Sequence, residues 1–306
     1  MAGDLRACEE VVFTVYGKRF AARRWGRGNA VPVLALHGWR DNCASFDFLA
    51  PLLGDCDLVA PDLAGHGRSD FRSADAPYTI WQDVGELLAI ADQLDWRRFT
   101  LLGHSRGAAI ATILAGSHPA RVAGLVLLDS LFPQPVSAGN APAQLAAAIA
   151  DRRRIENWTP RYHATFEQAV DARRRGPLAV PANAAEALAR RGVERSAQGY
   201  FWRGDPRLGG ASEVKFTEAH ASAFVAALDC EVRVLLGRES TINRSADIQR
   251  LAASNPRIRV MPVAGGHHLH MDHGLEDTAR LVRDLMESRD FAPESAQRAD
   301  RPVQPG

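Results

Sequence analysis

A serine at position 105 stands between two glycines, in the sequence Gly-His-Ser-Arg-Gly at residues 103–107. An apolar strand pattern precedes it at 99–102, and a helical pattern follows it at 108–114. A sharp turn between a strand and a helix is strained, so glycines are needed where a side chain would not fit. The turn lifts the hydroxyl of Ser105 clear of the sheet, at a helix N-terminus that favours negative charge. This context favours a nucleophile for acyl transfer over an ordinary helix-capping serine.

A nucleophilic serine needs a base, and the chain has ten histidines that could supply it. The strongest candidate lies in Gly-Gly-His-His-Leu-His at residues 265–270, because the glycine pair allows a tight loop that returns an imidazole to the serine. We predict His267 as the base and keep His268 as the alternative. Three histidines within four positions could also bind a metal, but Asp272 alone would not complete a ligand set beside them. We therefore expect no metal site and no cofactor.

The oxyanion of an acyl-transfer reaction needs hydrogen-bond donors, and two main-chain candidates are present. His-Gly-Trp at residues 37–39 follows a buried-strand pattern, and the backbone N–H after such a His-Gly pair is a known donor. The second candidate is the N–H of Arg106, directly after the serine. We predict that Trp39 and Arg106 form the oxyanion hole through their backbones. The side chain of Trp39 is expected to wall the substrate pocket, and His37 to be structural.

Short apolar segments alternate with helical patterns along most of the chain. Two segments, at 11–15 and 20–25, predict an antiparallel hairpin. The further strand patterns are 31–36, 58–60, 101–102, 122–128, 232–236 and 258–263. The clearest helix runs through Ile80, Val84, Leu87, Leu88, Ala91 and Leu94. This alternation predicts an α/β fold with a mostly parallel central sheet covered by helices on both faces.

The alternation breaks between about residues 132 and 229, where the helical patterns are 143–156, 166–175, 184–191 and 217–228. Because this stretch lies between two strands, we predict a helical cap (132–229) inserted into a core formed by 1–131 and 230–292. The polar segment 293–306 is predicted to be disordered. Phe132 and Trp202 join Trp39 as the predicted substrate-binding residues. Trp202 and its aromatic neighbours would either line the pocket or pack the interior of the cap.

Composition narrows the possible partners. The 306 residues carry a formal net charge of +1, which does not favour a nucleic-acid partner, and 46% are hydrophobic, enough for a sizeable core. No apolar run is long enough to span a bilayer, so we expect no membrane partner. The four cysteines are scattered, which favours a reducing compartment. We expect a cytoplasmic protein with a small-molecule substrate, and the excess of arginine over lysine points to a bacterial genome.

Motifs along the chain resemble those of the α/β-hydrolase superfamily. They are His-Gly-Trp at 37–39, Pro-Asp-Leu-Ala-Gly-His-Gly-Arg-Ser-Asp at 61–70, Gly-His-Ser-Arg-Gly at 103–107 and Gly-His at 266–267. Four stretches resemble its serine hydrolase-like branch, sometimes called the kraken-type hydrolases: 37–42, 45–47, 199–202 with 205–207, and 266–270. The resemblance covers about residues 11–290 and implies that 62–70 is a structural loop. Arg106 departs from the methionine or glycine that is usual after the nucleophile in that family.

The histidine base of a serine nucleophile is oriented by a carboxylic acid, and the three residues form a catalytic triad. This sequence departs further from the family pattern at the position of that acid. The family usually places an aspartate three residues after the glycine that ends the strand at 232–236, and Ser240 stands there. Some relatives take the acid from the end of the strand after the nucleophile helix, which here is Asp129. We predict Asp129 as the acid and keep Glu239, one residue before Ser240, as the alternative.

The sequence therefore predicts a cap-bearing α/β-hydrolase that cleaves an ester-type bond of a small or medium, partly apolar substrate through an acyl-enzyme. Ser105, His267 and Asp129 would form its triad. C–C bond hydrolysis with the same triad is the alternative within enzymes, and a low-turnover ligand receptor is the alternative outside them. A serine nucleophile disfavours haloalkane dehalogenase and epoxide hydrolase chemistry, which in this fold uses an aspartate at that position.

Overall fold

The computed structural model describes residues 8–29, 31–176, 179–243 and 245–287. Its strands are β1 (Cys8–Val15), β2 (Lys18–Trp25), β3 (Val31–Leu36), β4 (Cys56–Pro61), β5 (Phe99–His104), β6 (Val122–Leu128), β7 (Val193–Ser196), β8 (Gly199–Trp202), β9 (Glu231–Gly237) and β10 (Ile258–Val263). A central sheet has the order β1-β2-β4-β3-β5-β6-β9-β10, and β7 and β8 form a separate hairpin. The predicted disordered segment 293–306 lies outside the described residues.

The central sheet is mostly parallel, which confirms the predicted fold class. β1 and β2 form the expected antiparallel hairpin at one edge, and β2 also pairs antiparallel with β4. The neighbouring pairs from β4–β3 to β9–β10 are all parallel. The carboxyl ends of these parallel strands therefore meet at one edge of the sheet, which is where such sheets form ligand sites.

Helices cover both faces of the sheet. They are α1 (Ile80–Gln93), α2 (Arg106–Ser117), α3 (Ala141–Glu156), α4 (Phe166–Arg174), α5 (Ala182–Gly192), α6 (Glu218–Ala226), α7 (Ser245–Ala252) and α8 (Leu275–Met286). Successive residues of β3 belong to two buried clusters: Leu34 shares one with Ile110 of α2, and Ala35 shares the other with Leu285 of α8. Burial on both faces explains why β3 and β6 are almost continuous apolar runs. Among the described residues, no helix combines the length and the apolar character needed to cross a membrane.

The segment between β6 and β9, called the inserted segment (residues 132–229) below, contains α3 to α6, close to the helical patterns in its sequence. It also contains the antiparallel hairpin β7–β8, which we did not predict. Each strand of this hairpin has four residues, and β7 begins directly where α5 ends. So short an element gives too little alternation to be separated from the preceding helical pattern.

Candidate active site

Ser105 lies at the sharp turn between β5 and α2. Its backbone has a φ of 52° and a ψ of −113°, a conformation that residues other than glycine rarely adopt. The flanking glycines are required by space. A Cβ on Gly103 would lie 2.6 Å from Cα of Ala108, and a Cβ on Gly107 would lie 2.1 Å from the carbonyl oxygen of Leu36. The structure therefore has the strained turn that the sequence predicts, with the serine at the carboxyl edge of the sheet.

The imidazole of His267, in the loop after β10, contacts a carboxylate that follows β6, the strand next to β5. Its Nδ1 lies 2.7 Å from Oδ2 of Asp129, the residue directly after β6. Asp129 is buried and has a positive φ of 56°. Glu239, the alternative acid, instead pairs with His273 at 2.9 Å on the exposed surface. The structure therefore brings Asp129, and not Glu239, to His267.

Three further donors hold the carboxylate of Asp129. Its Oδ1 accepts from the backbone N–H of Gly237 at 2.9 Å and from the side-chain amide of Asn243 at 2.8 Å. Its Oδ2 accepts from the hydroxyl of Ser240 at 2.5 Å as well as from the imidazole. Ser240 occupies the position where the family usually has the acid. In this chain, that position instead supplies a hydroxyl that donates a hydrogen bond to the carboxylate of Asp129. Sequence reasoning assigned no role to Ser240 or Asn243, and the serine at an acid position was the one available signal.

The side chains of Ser105 and His267 are not hydrogen-bonded to each other. Neither Oγ of Ser105 nor Nε2 of His267 has a hydrogen-bond partner among the residues that the structure describes. Hydrogen bonds between a nucleophile and its base often form fully only with substrate in place. The backbone of His267 is held by a hydrogen bond, since Nε2 of His104 donates to the carbonyl oxygen of His267 at 2.9 Å.

The loop after β3 presents Trp39 near the same edge. In this loop, Nδ1 of His37 donates to the carbonyl of Gly38 at 2.8 Å, and its Nε2 accepts from the N–H of Leu63 at 3.0 Å. This pairing needs a neutral imidazole, and burial lowers the pKa of His37 accordingly. Within the described ranges, the backbone N–H of Trp39 has no acceptor, and the N–H of Arg106 has none because Arg106 is the first residue of α2. Both amides are therefore available to a ligand.

A cavity of about 780 Å³ opens beside Ser105. Trp39 and Phe132, two of the three predicted substrate-binding residues, line it. The inserted segment supplies much of the remaining wall, through residues 132–136 and 207–216 and one face of α3. The serine, the loop after β3 and the inserted segment therefore border one chamber.

Comparison with known proteins places this chain in a family. The sequence profile of the α/β-hydrolase fold matches residues 31–274. The chain belongs to the α/β-hydrolase fold family.

The relatives of this α/β-hydrolase include serine hydrolase-like proteins, which confirms the resemblance to that branch. A serine hydrolase-like protein of Dictyostelium discoideum is 28% identical over 296 residues, which are 91% of this chain and 82% of that protein. A probable serine hydrolase of Drosophila melanogaster is 30% identical over 296 residues, 92% of this chain and 88% of that protein. The crystal structure of a hypothetical protein from Pseudomonas aeruginosa is 39% identical and superimposes with a TM-score of 0.84, covering 91% of this chain and 98% of that one.

In this α/β-hydrolase, Trp202 does not line the cavity, which corrects the prediction that it binds substrate. Its indole N–H donates to the carbonyl of Ala169 in α4 at 3.2 Å. Its ring packs against a buried cluster that includes Leu188 of α5 and Met271. The Trp202 side chain therefore packs among residues of the inserted segment and against the loop after β10. This is the second of the two roles that the sequence allowed.

A further group of titratable side chains lies behind His267. Asp41, His104 and His268 are buried and bring one ligand-type atom each within 4.8 Å of the others. The guanidinium of Arg173 in α4 donates to Oδ1 of Asp41 at 2.7 Å and lies 3.3 Å from Nε2 of His268. Although burial opposes ionisation, His268 and Arg173 hold the pKa of Asp41 well below its ordinary value. Asp41, His104 and His268 are residue types that can bind a metal ion. In this structure, however, the positive charge beside the carboxylate of Asp41 is the guanidinium of Arg173.

Proposed function

We propose that this α/β-hydrolase is a serine esterase that acts on a small or medium, partly apolar substrate. Ser105 attacks the carbonyl carbon of the ester, and His267 takes the serine proton and then gives it to the leaving alcohol. Asp129 holds the tautomer of His267 with a proton on Nδ1 and stabilises the imidazolium that forms. Water then attacks the acyl-enzyme by the same steps, which releases the acid and restores Ser105.

The observation that carries this proposal is the 2.7 Å contact between Nδ1 of His267 and Oδ2 of Asp129. Because β5 and β6 are parallel neighbours, the residues that follow them, Ser105 and Asp129, lie at the same edge of the sheet. When Nδ1 donates to a carboxylate, Nε2 carries the lone pair that a general base needs. The hydrogen bonds from Gly237, Ser240 and Asn243 fix the carboxylate in the orientation that selects this tautomer.

The backbone N–H groups of Trp39 and Arg106 are proposed to bind the oxyanion. Losing one such donor costs about 10²–10³ in kcat in well-studied acyl-transfer enzymes. The loop that carries the first donor is tied to the inserted segment, since the indole N–H of Trp39 donates to the carbonyl of Leu208 at 2.7 Å. We therefore assign the inserted segment the role of a cap that shapes the substrate chamber.

The walls of the cavity support a partly apolar substrate. The ring of Phe216 lies 5.0 Å from that of Phe132 and 4.5 Å from that of Trp81, centroid to centroid, and all three residues line the chamber. Its volume of about 780 Å³ falls within the range of small-molecule sites. An acyl chain or an aromatic alcohol of moderate size can be removed from water there.

Hydrolysis of p-nitrophenyl butyrate by two serine variants tests the proposal. Ser105→Ala is expected to lower kcat/KM by about 10³-fold or more, because the covalent step is lost. Ser130→Ala is the matched control: Ser130 also lines the cavity but has no proposed role, and this variant should keep at least a tenth of the activity. Full activity in Ser105→Ala would contradict the proposal. So would the absence of hydrolysis by the unaltered enzyme across esters from acetyl to dodecanoyl.

A further inference from the structure

Arg106, the residue after the proposed nucleophile, brings its side chain to the site as well as its backbone. It lines the cavity beside Ser105, and 18% of its side chain is exposed. Its Nη1 donates to Oδ2 of Asp83 at 2.7 Å. In the part of the chain that the structure describes, its Nε and Nη2 have no hydrogen-bond partner. Because a guanidinium carries its donors in a rigid fork, one side of Arg106 is held by the protein while other donors remain for a ligand.

A buried ion network holds this guanidinium in place. Asp83 is only 3% exposed and also accepts from Arg72 at 3.3 Å. Arg72 in turn donates to both carboxylate oxygens of Glu86, at 2.7 and 2.8 Å, and Lys18 lies 3.9 Å from the same carboxylate. These three cationic side chains outnumber the two carboxylates by one positive charge. Arg106 is the member of this network that lines the cavity.

Two other arginines line the cavity but differ from Arg106 in position and pairing. Arg207 is neutralised by Asp205 at 2.7 Å and also donates to main-chain carbonyls. Arg152 belongs to an exposed part of α3 and donates to the carbonyl of Ala74 at 3.2 Å. Arg106 directly follows Ser105, so an anion that its side chain binds would lie close to the acyl carbonyl of a bound ester.

We propose that the Arg106 side chain forms a subsite for a carboxylate on the acyl part of the substrate, so that the enzyme prefers monoesters of short dicarboxylic acids to neutral esters. This inference rests on the proposed esterase function. A carboxylate can accept two parallel hydrogen bonds from a guanidinium, and such charge-assisted bonds are roughly twice as strong as neutral ones. The methionine or glycine that is usual at this position in the family has no side-chain donor with which to bind a carboxylate.

The test uses two esters that differ in one terminal group. p-Nitrophenyl hexanoate ends in a methyl group, and mono-p-nitrophenyl adipate has a carboxylate at the same place in the chain. The measured quantity is the ratio of kcat/KM for the adipate to kcat/KM for the hexanoate, after the spontaneous rates are subtracted. In Arg106→Gln we expect this ratio to fall by about tenfold or more, the effect of losing a charge-assisted hydrogen bond. Arg106→Lys, which keeps the charge without the fork, should give an intermediate ratio.

Arg152→Gln is the matched control, because it removes another arginine from the wall of the same cavity. Since exposed charges are screened by salt, this variant should change the ratio by less than about threefold. Circular dichroism checks that each variant folds, and Arg106→Met provides a second neutral side chain for the same comparison.

Three outcomes would overturn the subsite. The first is hydrolysis of both esters with a ratio that Arg106→Gln and Arg106→Met leave unchanged, which leaves the esterase function standing. The second is an equal fall in Arg152→Gln, which shows a general electrostatic effect of the cavity. The third is the absence of any hydrolysis by the unaltered enzyme, which overturns the esterase function together with the subsite.

Discussion

Replacing Asp129 with asparagine removes one negative charge and almost no volume at the centre of the proposed triad. Oδ1 of the new amide can keep the hydrogen bonds from Gly237 and Asn243. The new NH₂ group takes the place of Oδ2, opposite Nδ1 of His267 and the hydroxyl of Ser240. The hydroxyl can rotate to accept a hydrogen bond, but Nδ1 of His267 can accept only if its proton moves to Nε2.

The size of the loss in kcat follows from this change of tautomer. An imidazole with a proton on Nε2 cannot take the proton of Ser105, and no carboxylate remains to stabilise an imidazolium. In a well-characterised Ser-His-Asp triad, the same substitution costs about 10⁴ in kcat, which corresponds to about 5.5 kcal/mol of transition-state stabilisation. The loss of stability should be smaller, about 1–3 kcal/mol, because charge-assisted hydrogen bonds become neutral ones while the shape is kept.

Turnover of p-nitrophenyl butyrate and urea denaturation measure the two effects separately. Glu239→Gln is the matched control, because Glu239 is the other candidate acid and pairs with His273 on the exposed surface. We expect this control to retain nearly full activity. Asp129 is not the acid of the triad if Asp129→Asn keeps more than a tenth of the activity, or if Glu239→Gln loses most of it.

Contacts of His267, Ser240 and Asp41 give three other predictions. His267→Ala should lower kcat by about 10³-fold or more, as loss of a triad base does, whereas His268→Ala should cost much less in the same ester assay, because His268 pairs with Asp41. Ser240→Ala removes the 2.5 Å donor to Asp129 and should lower the free energy of unfolding in urea by about 1–3 kcal/mol; an unchanged value would show that this hydrogen bond does not stabilise the fold. Although burial favours the neutral acid, His268 and Arg173 hold the pKa of Asp41 well below its ordinary value of 3.8. The ionised carboxylate therefore stabilises the fold above about pH 4, and this stabilisation is lost as the pH falls through the lowered pKa. The difference in unfolding free energy between wild type and Asp41→Asn should therefore shrink below about pH 4, and a difference that grows on acidification would contradict the assignment.

The parts of the fold that could be predicted from the sequence are those with long-range regularity. The strand bounds of β3, β6 and β10 agree with the runs at 31–36, 122–128 and 258–263. β3 and β6 lie inside the sheet, where burial on both faces makes a strand an almost continuous apolar run. The turn at Ser105 was predictable because its glycines meet backbone atoms at distances that no side chain could tolerate. The β7–β8 hairpin was not, because eight residues at the end of a helix give no periodic signal.

The candidate site was predictable where one local motif places a residue and unpredictable where several distant segments meet. The resemblance to the family favoured Asp129 over Glu239 as the partner of His267, but the choice between them needs the order of β5, β6 and β9 in the sheet, which one sequence does not specify. Ser240 and Asn243 gain a role only once the loop after β9 meets the end of β6. Trp202 was misassigned because an aromatic residue in the inserted segment can face either the chamber or the segment interior, and only tertiary packing selects one.

Mass spectrometry of the enzyme after reaction with a fluorophosphonate tests whether Ser105 is an activated nucleophile, because the reagent marks an activated serine whatever the natural substrate. Trypsin cleavage after Arg98 and Arg106 yields a peptide of residues 99–106, in which Ser105 is the only serine. We predict one covalent adduct, on that peptide, which is absent in Ser105→Ala and forms far more slowly in Asp129→Asn. An unmodified enzyme, an adduct on a different peptide, or an adduct that persists in Ser105→Ala would contradict it.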